Sequence, residues 1–117
     1  PPTVLTNLRD DMTIMREETF GPVAPILAVD SFDEAIERAN RTAFGLSTIV
    51  YTENAPRALQ AIHQLNTGMI KINAPRGQIP HCSAEPARDS GTGIGHGIEF
   101  LRELTYCKAV HWRARLY

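Results

Sequence analysis

Between Val23 and Asn73 short β-rich apolar runs alternate with stretches of helical period, and this alternation restricts the fold more than any other feature of the chain. Val23 to Val29 is a β-rich apolar run, although Pro25 confines it to an edge, an end or a bulge. Ser31 then offers a helix cap with Glu34 three residues on, and Phe32, Ala35, Ile36 and Ala39 share one face of a helix ending near Asn40 or Arg41. Leu46 to Tyr51 reads as a buried strand. Asn54 caps a second helix, with Pro56 in its first turn, and Ala55, Ala58, Leu59, Ile62 and Leu65 recur at helical spacing until Gly68 stops it. Met69 to Asn73 reads as a further strand. Strand, helix, strand, helix, strand with short connections is the pattern of βαβ units, so the predicted fold is α/β with an open, largely parallel sheet.

Periodicity is lost from about 74 to 97, where Gly, Pro and Ser dominate, and a loop of that length inside a compact unit is usually functional or wraps a neighbour. Ile98, Leu101 and Leu104 predict a final helix, and Cys107 to Trp112 a last strand. At 117 residues there is room for one core. The opening Pro1-Pro2-Thr3-Val4 reads like a strand edge inside a larger protein, so a piece of a longer chain is expected. A net charge of -1 gives no electrostatic reason to expect nucleic acid or an anionic membrane, and no apolar run approaches the roughly 18 residues of a membrane span. Cys82 and Cys107 fit neither a disulfide framework nor a zinc spacing, which favours a reducing, cytoplasmic setting.

Three stretches could carry chemistry. Glu18 and Phe20 stand two residues apart before the Gly21-Pro22 turn. A carboxylate can accept both hydroxyls of a ribose and an aromatic can press on a flat heterocycle, although the same pair also reads as a solvated acid and a core ring. Arg76 follows the Met69 to Asn73 strand, at the end of a strand where ligands of open α/β sheets gather; it either holds an anionic group or is solvated. Gly91-Thr92-Gly93-Ile94-Gly95-His96-Gly97 departs from a dinucleotide fingerprint, because the third glycine position falls on His96 or Ile98, and reads as a tight turn leading into the last helix. His81 and Cys82 are adjacent and point apart in an extended chain, so they make a poor base and nucleophile. His81, Cys82, His96 and His111 offer no ligand pair at a metal spacing.

From Pro2 to about Val110 the chain resembles the C-terminal part of the NAD(P)-dependent aldehyde dehydrogenases. The likeness is carried, in order, by Pro2-Thr3-Val4 with Asp11-Met12-Thr13-Ile14, Glu17-Glu18-Thr19-Phe20-Gly21-Pro22-Val23, Ala39-Asn40 with Phe44-Gly45-Leu46, and Gly68 to Asn73 with Ser90-Gly91-Thr92-Gly93. The resemblance implies that Glu18 binds the nicotinamide ribose of NAD or NADP and that Phe20 lies beside the nicotinamide. It also implies that Asn73 to His81 lines the aldehyde entrance, and that the last strand joins subunits of a homo-oligomer. Pro75-Arg76-Gly77 is similar to the arginine-bearing loop of the non-phosphorylating glyceraldehyde-3-phosphate dehydrogenases, which implies substrate contact by Arg76. The family's nucleophilic cysteine, oxyanion asparagine, general base and dinucleotide domain lie upstream of the matched region, so no residue here is expected to be catalytic and the isolated chain is expected to be inactive.

Two departures stand out. Where the family pattern has Pro-Phe-Gly-Gly-x-Lys, the chain has Ser83-Ala84-Glu85-Pro86-Ala87-Arg88, and Ile94-Gly95 replaces Arg-Glu after Ser90-Gly91-Thr92-Gly93. The expectation is therefore a segment that gives cofactor contacts and part of a substrate entrance to an aldehyde-oxidising enzyme. The alternative is a non-catalytic assembly module that uses its last strand to pair.

Overall fold

Both predicted helix starts are realised by side-chain caps. In the computed structural model, which describes residues 1–76 and 81–115, α1 spans Phe32–Asn40 and α2 spans Ala55–Gln64. The Ser31 hydroxyl accepts the Glu34 amide and Asn54 Oδ1 accepts the Arg57 amide, satisfying donors that a helix start leaves free. Glu34 returns its carboxylate to the Asp30 amide, one residue ahead of the cap, and also accepts from Arg38 one turn on.

That arrangement predicts a pH dependence. The Asp30 amide, and after it the Arg38 guanidinium, hold the Glu34 carboxyl below the ordinary glutamate range. The contribution is thus complete above that range and is lost as pH falls through the lowered value. In a carboxyl-resolved NMR titration Glu34 should titrate below the ordinary glutamate range, and Arg38→Gln should move it upward. A Glu34 that titrates within that range and ignores Arg38→Gln contradicts the capping arrangement.

The expected βαβ unit is formed by β4 (Ser47–Val50), α2 and β5 (Met69–Ile72), with β4 and β5 parallel and Thr48 opposite Ile70. β1 (Thr3–Leu5) pairs in parallel with β2 (Val23–Pro25). β2 ends at Pro25 and is shorter than the apolar run suggests, although the Ile26 amide still donates to Leu5 O at 2.8 Å; the missing amide hydrogen of Pro25 falls on the strand's other edge. These pairs form separate two-stranded sheets. Ile36, Ala61 and Leu65 make a small buried core, packed on by Phe32, Ala39, Val50 and Ile70.

The structure corrects three expectations. The apolar stripe of α2 is wider than the face it buries: Ala61 and Leu65 are covered, whereas Leu59 and Ile62 are exposed, because β4 and β5 receive only one flank of it. The stretch from 74 to 97 is not structureless, for β6 (Ala87–Arg88) runs antiparallel to β3 (Phe44–Gly45) and Ala84 bridges Gly95. After α3 (Gly97–Glu103), Cys107 to Trp112 forms no ladder among the described residues, and Val110 and Trp112 stay exposed. A strand exists only by pairing, and this arm finds no partner edge among the described residues. The radius of gyration of 20.6 Å, against about 13 Å for a compact chain of this length, records the resulting elongation.

Candidate functional site

Glu18 and Phe20 belong to an irregular stretch between a short 3-10 turn (Thr13–Met15) and β2. Two tight turns fix it: the Gly21 amide donates to Thr19 O at 2.9 Å and the Val23 amide to Gly21 O at 2.8 Å. They hold Phe20 out from the backbone with 93% of its surface exposed. A ring left almost wholly in water forgoes burial that stabilises by about 1.5–3 kcal/mol, which fits a side chain displayed for contact. Glu18 and Phe20 both line a cleft of about 520 Å³ whose far wall includes Gly45 and Ser90.

That wall joins two motifs far apart in sequence. The Gly45 amide donates to Ser90 Oγ at 2.8 Å, and the Asp89 amide to Ala43 O at 3.0 Å. A Cβ on Gly45 would lie 2.9 Å from both Ala87 Cβ and Asn66 O, so the chains meet closely because residue 45 has no side chain. The resemblance of Phe44-Gly45-Leu46 and of Ser90-Gly91 to one family pattern thus has a common spatial cause.

Sequence reading missed Arg88. It stands half-buried at φ 54 in β6. Its guanidinium donates to the carbonyls of Asn40 at 2.9 Å, of Asn66 at 2.8 Å, and of Thr42. Asn40 adds a second tie, donating from Nδ2 to Gln64 O at 2.7 Å and accepting the Asn66 amide at 2.8 Å. Together they lock the end of α1 to the turn between α2 and β5, beside the cleft. The signal available was the departure itself: an arginine where the resembled pattern has lysine, in a stretch with no helical or strand period.

Arg76 is not gathered with Glu18 and Phe20. It lines a separate cavity of about 490 Å³ beneath β5. Asn73, at φ 54, precedes it and extends the β4·β5 pairing by exchanging hydrogen bonds with Thr52, Oδ1 accepting at 2.9 Å and Nδ2 donating at 2.8 Å. Cys82 lines that same cavity and is a free thiol, as is Cys107. Gly91, Gly93, His96 and Gly97 all adopt positive φ, which makes the glycine-rich stretch a tight turn before α3. Among the described residues no group of His, Cys, Asp and Glu is placed to hold a metal, and no helix is long and apolar enough to cross a membrane.

The profile of the aldehyde dehydrogenase family matches residues 1–110. Among solved structures, lactaldehyde dehydrogenase from Escherichia coli is 41% identical over 88% of this chain and 22% of its own, with a TM-score of 0.83. An NAD-dependent aldehyde dehydrogenase from Sinorhizobium meliloti is 37% identical over 99% of this chain and 23% of its own, with a TM-score of 0.86. A 3,6-anhydro-L-galactose dehydrogenase solved in complex with NAP is 38% identical over 87% of this chain and 21% of its own, with a TM-score of 0.81. The chain spans about a fifth of the length of these structures. With the Glu18 to Pro22 turn, the βαβ unit and the Gly45·Ser90 wall in the order the family pattern requires, the chain belongs to the aldehyde dehydrogenase family.

Proposed function

We propose that the chain works as the C-terminal segment of the catalytic domain of an enzyme that oxidises an aldehyde to a carboxylic acid with NAD or NADP. The carrying observation is that Glu18 and Phe20 line one cleft, a carboxylate beside an exposed aromatic ring. Those two groups suit a nicotinamide riboside: Glu18 accepts the ribose hydroxyls, and Phe20 limits where the ring can lie. When bound, the nicotinamide supplies hydride acceptance; this chain supplies orientation. The nucleophile, oxyanion donor and general base come from the rest of the enzyme, so the 117 residues alone are expected to show no turnover. Names of solved neighbours that include NAD-dependence and a complex with NAP support a dinucleotide without choosing between the two. A cytoplasmic location is part of the same proposal, on two cysteines whose number and spacing fit no disulfide framework.

Glu18→Gln in the complete enzyme tests this. A charge-assisted hydrogen bond contributes about 1.5–3 kcal/mol, so kcat should fall about tenfold or more, while a ribose contact made equally in the ground state would raise the cofactor KM instead. Unchanged kcat and unchanged cofactor KM sink the ribose assignment. The exposed arm after α3 favours a second role in the same enzyme, pairing with another subunit of a homo-oligomer. Were the kinetics of Glu18→Gln unaffected, that assembly role would be the reading left standing.

A further inference from the structure

The cleft that Glu18 and Phe20 line contains a second carboxylate, Asp89, beside Ser90 on its far wall. Asp89 follows β6, where Arg88 at φ 54 turns the chain out of the ladder with β3. Its amide donates to Ala43 O at 3.0 Å, and the hydroxyl of the next residue, Ser90, accepts the Gly45 amide at 2.8 Å. The backbone of residues 89 and 90 is thus tied at two points to the β3 segment, and the carboxylate enters the cleft from a fixed base.

No cation answers the two acids there. The rest of the polar lining is neutral hydroxyl, from Thr42, Ser47, Thr48, Thr67 and Ser90, and no Lys, Arg or His lines the cleft. Arg88, next to Asp89 in the chain, turns its guanidinium to the carbonyls of Asn40, Thr42 and Asn66. Neither Glu18 nor Asp89 takes part in an ion pair among the described residues, whereas Asp10, Glu34 and Glu37 all meet arginines. Two unanswered carboxylates in one concavity, which also holds the apolar Phe20, Phe44 and Leu46, focus a negative potential inside it.

Of the groups a nicotinamide dinucleotide carries, only the ring changes charge in the reaction. Oxidised, it is a cation; on accepting hydride from the aldehyde carbon, two electrons and one proton, it becomes neutral, while the ribose and pyrophosphate keep their charge. The hydrogen bonds from the ribose hydroxyls to Glu18 are available in both redox states and do not tell them apart. A fixed negative charge does, because it attracts the cationic ring and is indifferent to the neutral one.

We propose that Asp89 sets the redox preference of the cleft: its charge, added to that of Glu18, selects the oxidised nicotinamide over the reduced one and so favours release of the cofactor once hydride has been transferred. This rests on the aldehyde-oxidising reading above. It adds to that reading a specificity-determining residue that acts on the charge of the ring through space.

The test is calorimetric titration of the complete enzyme with NAD⁺ and NADH, with NADP⁺ and NADPH, and with ADP-ribose, which lacks the nicotinamide. The proteins compared are the wild type, Asp89→Asn and the charge-preserving Asp89→Glu. Asp89→Asn should lower the preference for the oxidised over the reduced form, read as the ratio of their Kd values, by about threefold, the scale of one unit charge acting across a solvated cleft. Asp89→Glu should keep the wild-type ratio, and ADP-ribose should follow the reduced form, since neither brings a positive ring. The change should shrink in high salt, which a packing defect would not do. A ratio that Asp89→Asn leaves unmoved, or a loss shared equally by NAD⁺, NADH and ADP-ribose, overturns the proposal and leaves the cofactor reading intact. An enzyme that binds none of these dinucleotides overturns the cofactor reading, and this proposal with it.

Discussion

Replacing Gly68 by alanine should destabilise the protein by about 3 kcal/mol, the upper end for forcing one methyl group into a filled space. The added Cβ would fall on the Glu85 carbonyl oxygen, 2.7 Å from its carbon and 3.1 Å from Pro86 Cα. These are backbone atoms, so no rotamer change relieves the clash. Gly68 also cannot retreat, because its amide donates to Gly45 O at 2.9 Å and the Met69 amide to Leu46 O at 3.1 Å, the bonds that begin the β4·β5 ladder. The shift in the urea midpoint, at unchanged m-value, measures the effect. A loss below about 1 kcal/mol would mean that the Glu85 segment swings away at little cost and is not the fixed wall described here.

A comparable loss, about 3 kcal/mol, is expected for Arg88→Met, which preserves the length and removes the guanidinium. Three carbonyls, those of Asn40, Thr42 and Asn66, lose their donors at once. The sum of three charge-assisted bonds would be larger, but Arg88 Nε is buried with no acceptor among the described residues, and that cost disappears with the side chain. Arg88→Lys should restore only a part, since one ammonium cannot match the spread of a planar fork. Because Asn40 and Arg88 grip the same turn, Asn40→Ala combined with Arg88→Met should be less damaging than the two losses added, by more than about 0.5 kcal/mol. Strict additivity would show that the two side chains act separately.

The fold was legible where the decisive interactions are local. The caps at Ser31 and Asn54, the end of α2 before Gly68 and the strand after it were all readable, because a cap bond spans three residues and a helical face repeats within a few. Which apolar residues are covered was less so. Leu59 and Ile62 belong to the same stripe as Leu65, yet only the neighbouring sheet decides which flank is buried. The Cys107 to Trp112 arm has strand composition without strand structure, since composition supplies propensity and a ladder needs an edge.

Glu18 and Phe20 were singled out from a short motif and Arg76 from its place after a strand, and the structure places the first two in one cleft and Arg76 in another cavity. Arg88 was not singled out. Arg88 reaches carbonyls 22 to 48 residues away, and Lys71 and His96 join Arg76 only because β5 and the turn before α3 are folded together. By itself, then, the sequence determined the helices, the parallel βαβ unit and the family, since caps, periods and ordered motifs are encoded in near neighbours. The tertiary structure alone decided that Glu18 and Phe20 line one cleft while Arg76 lines another, and that distant segments meet closely at Gly68 and Arg88. Those facts depend on close approach of chain segments distant in sequence, where one absent methyl or one guanidinium fork sets the distance, and no local pattern records it.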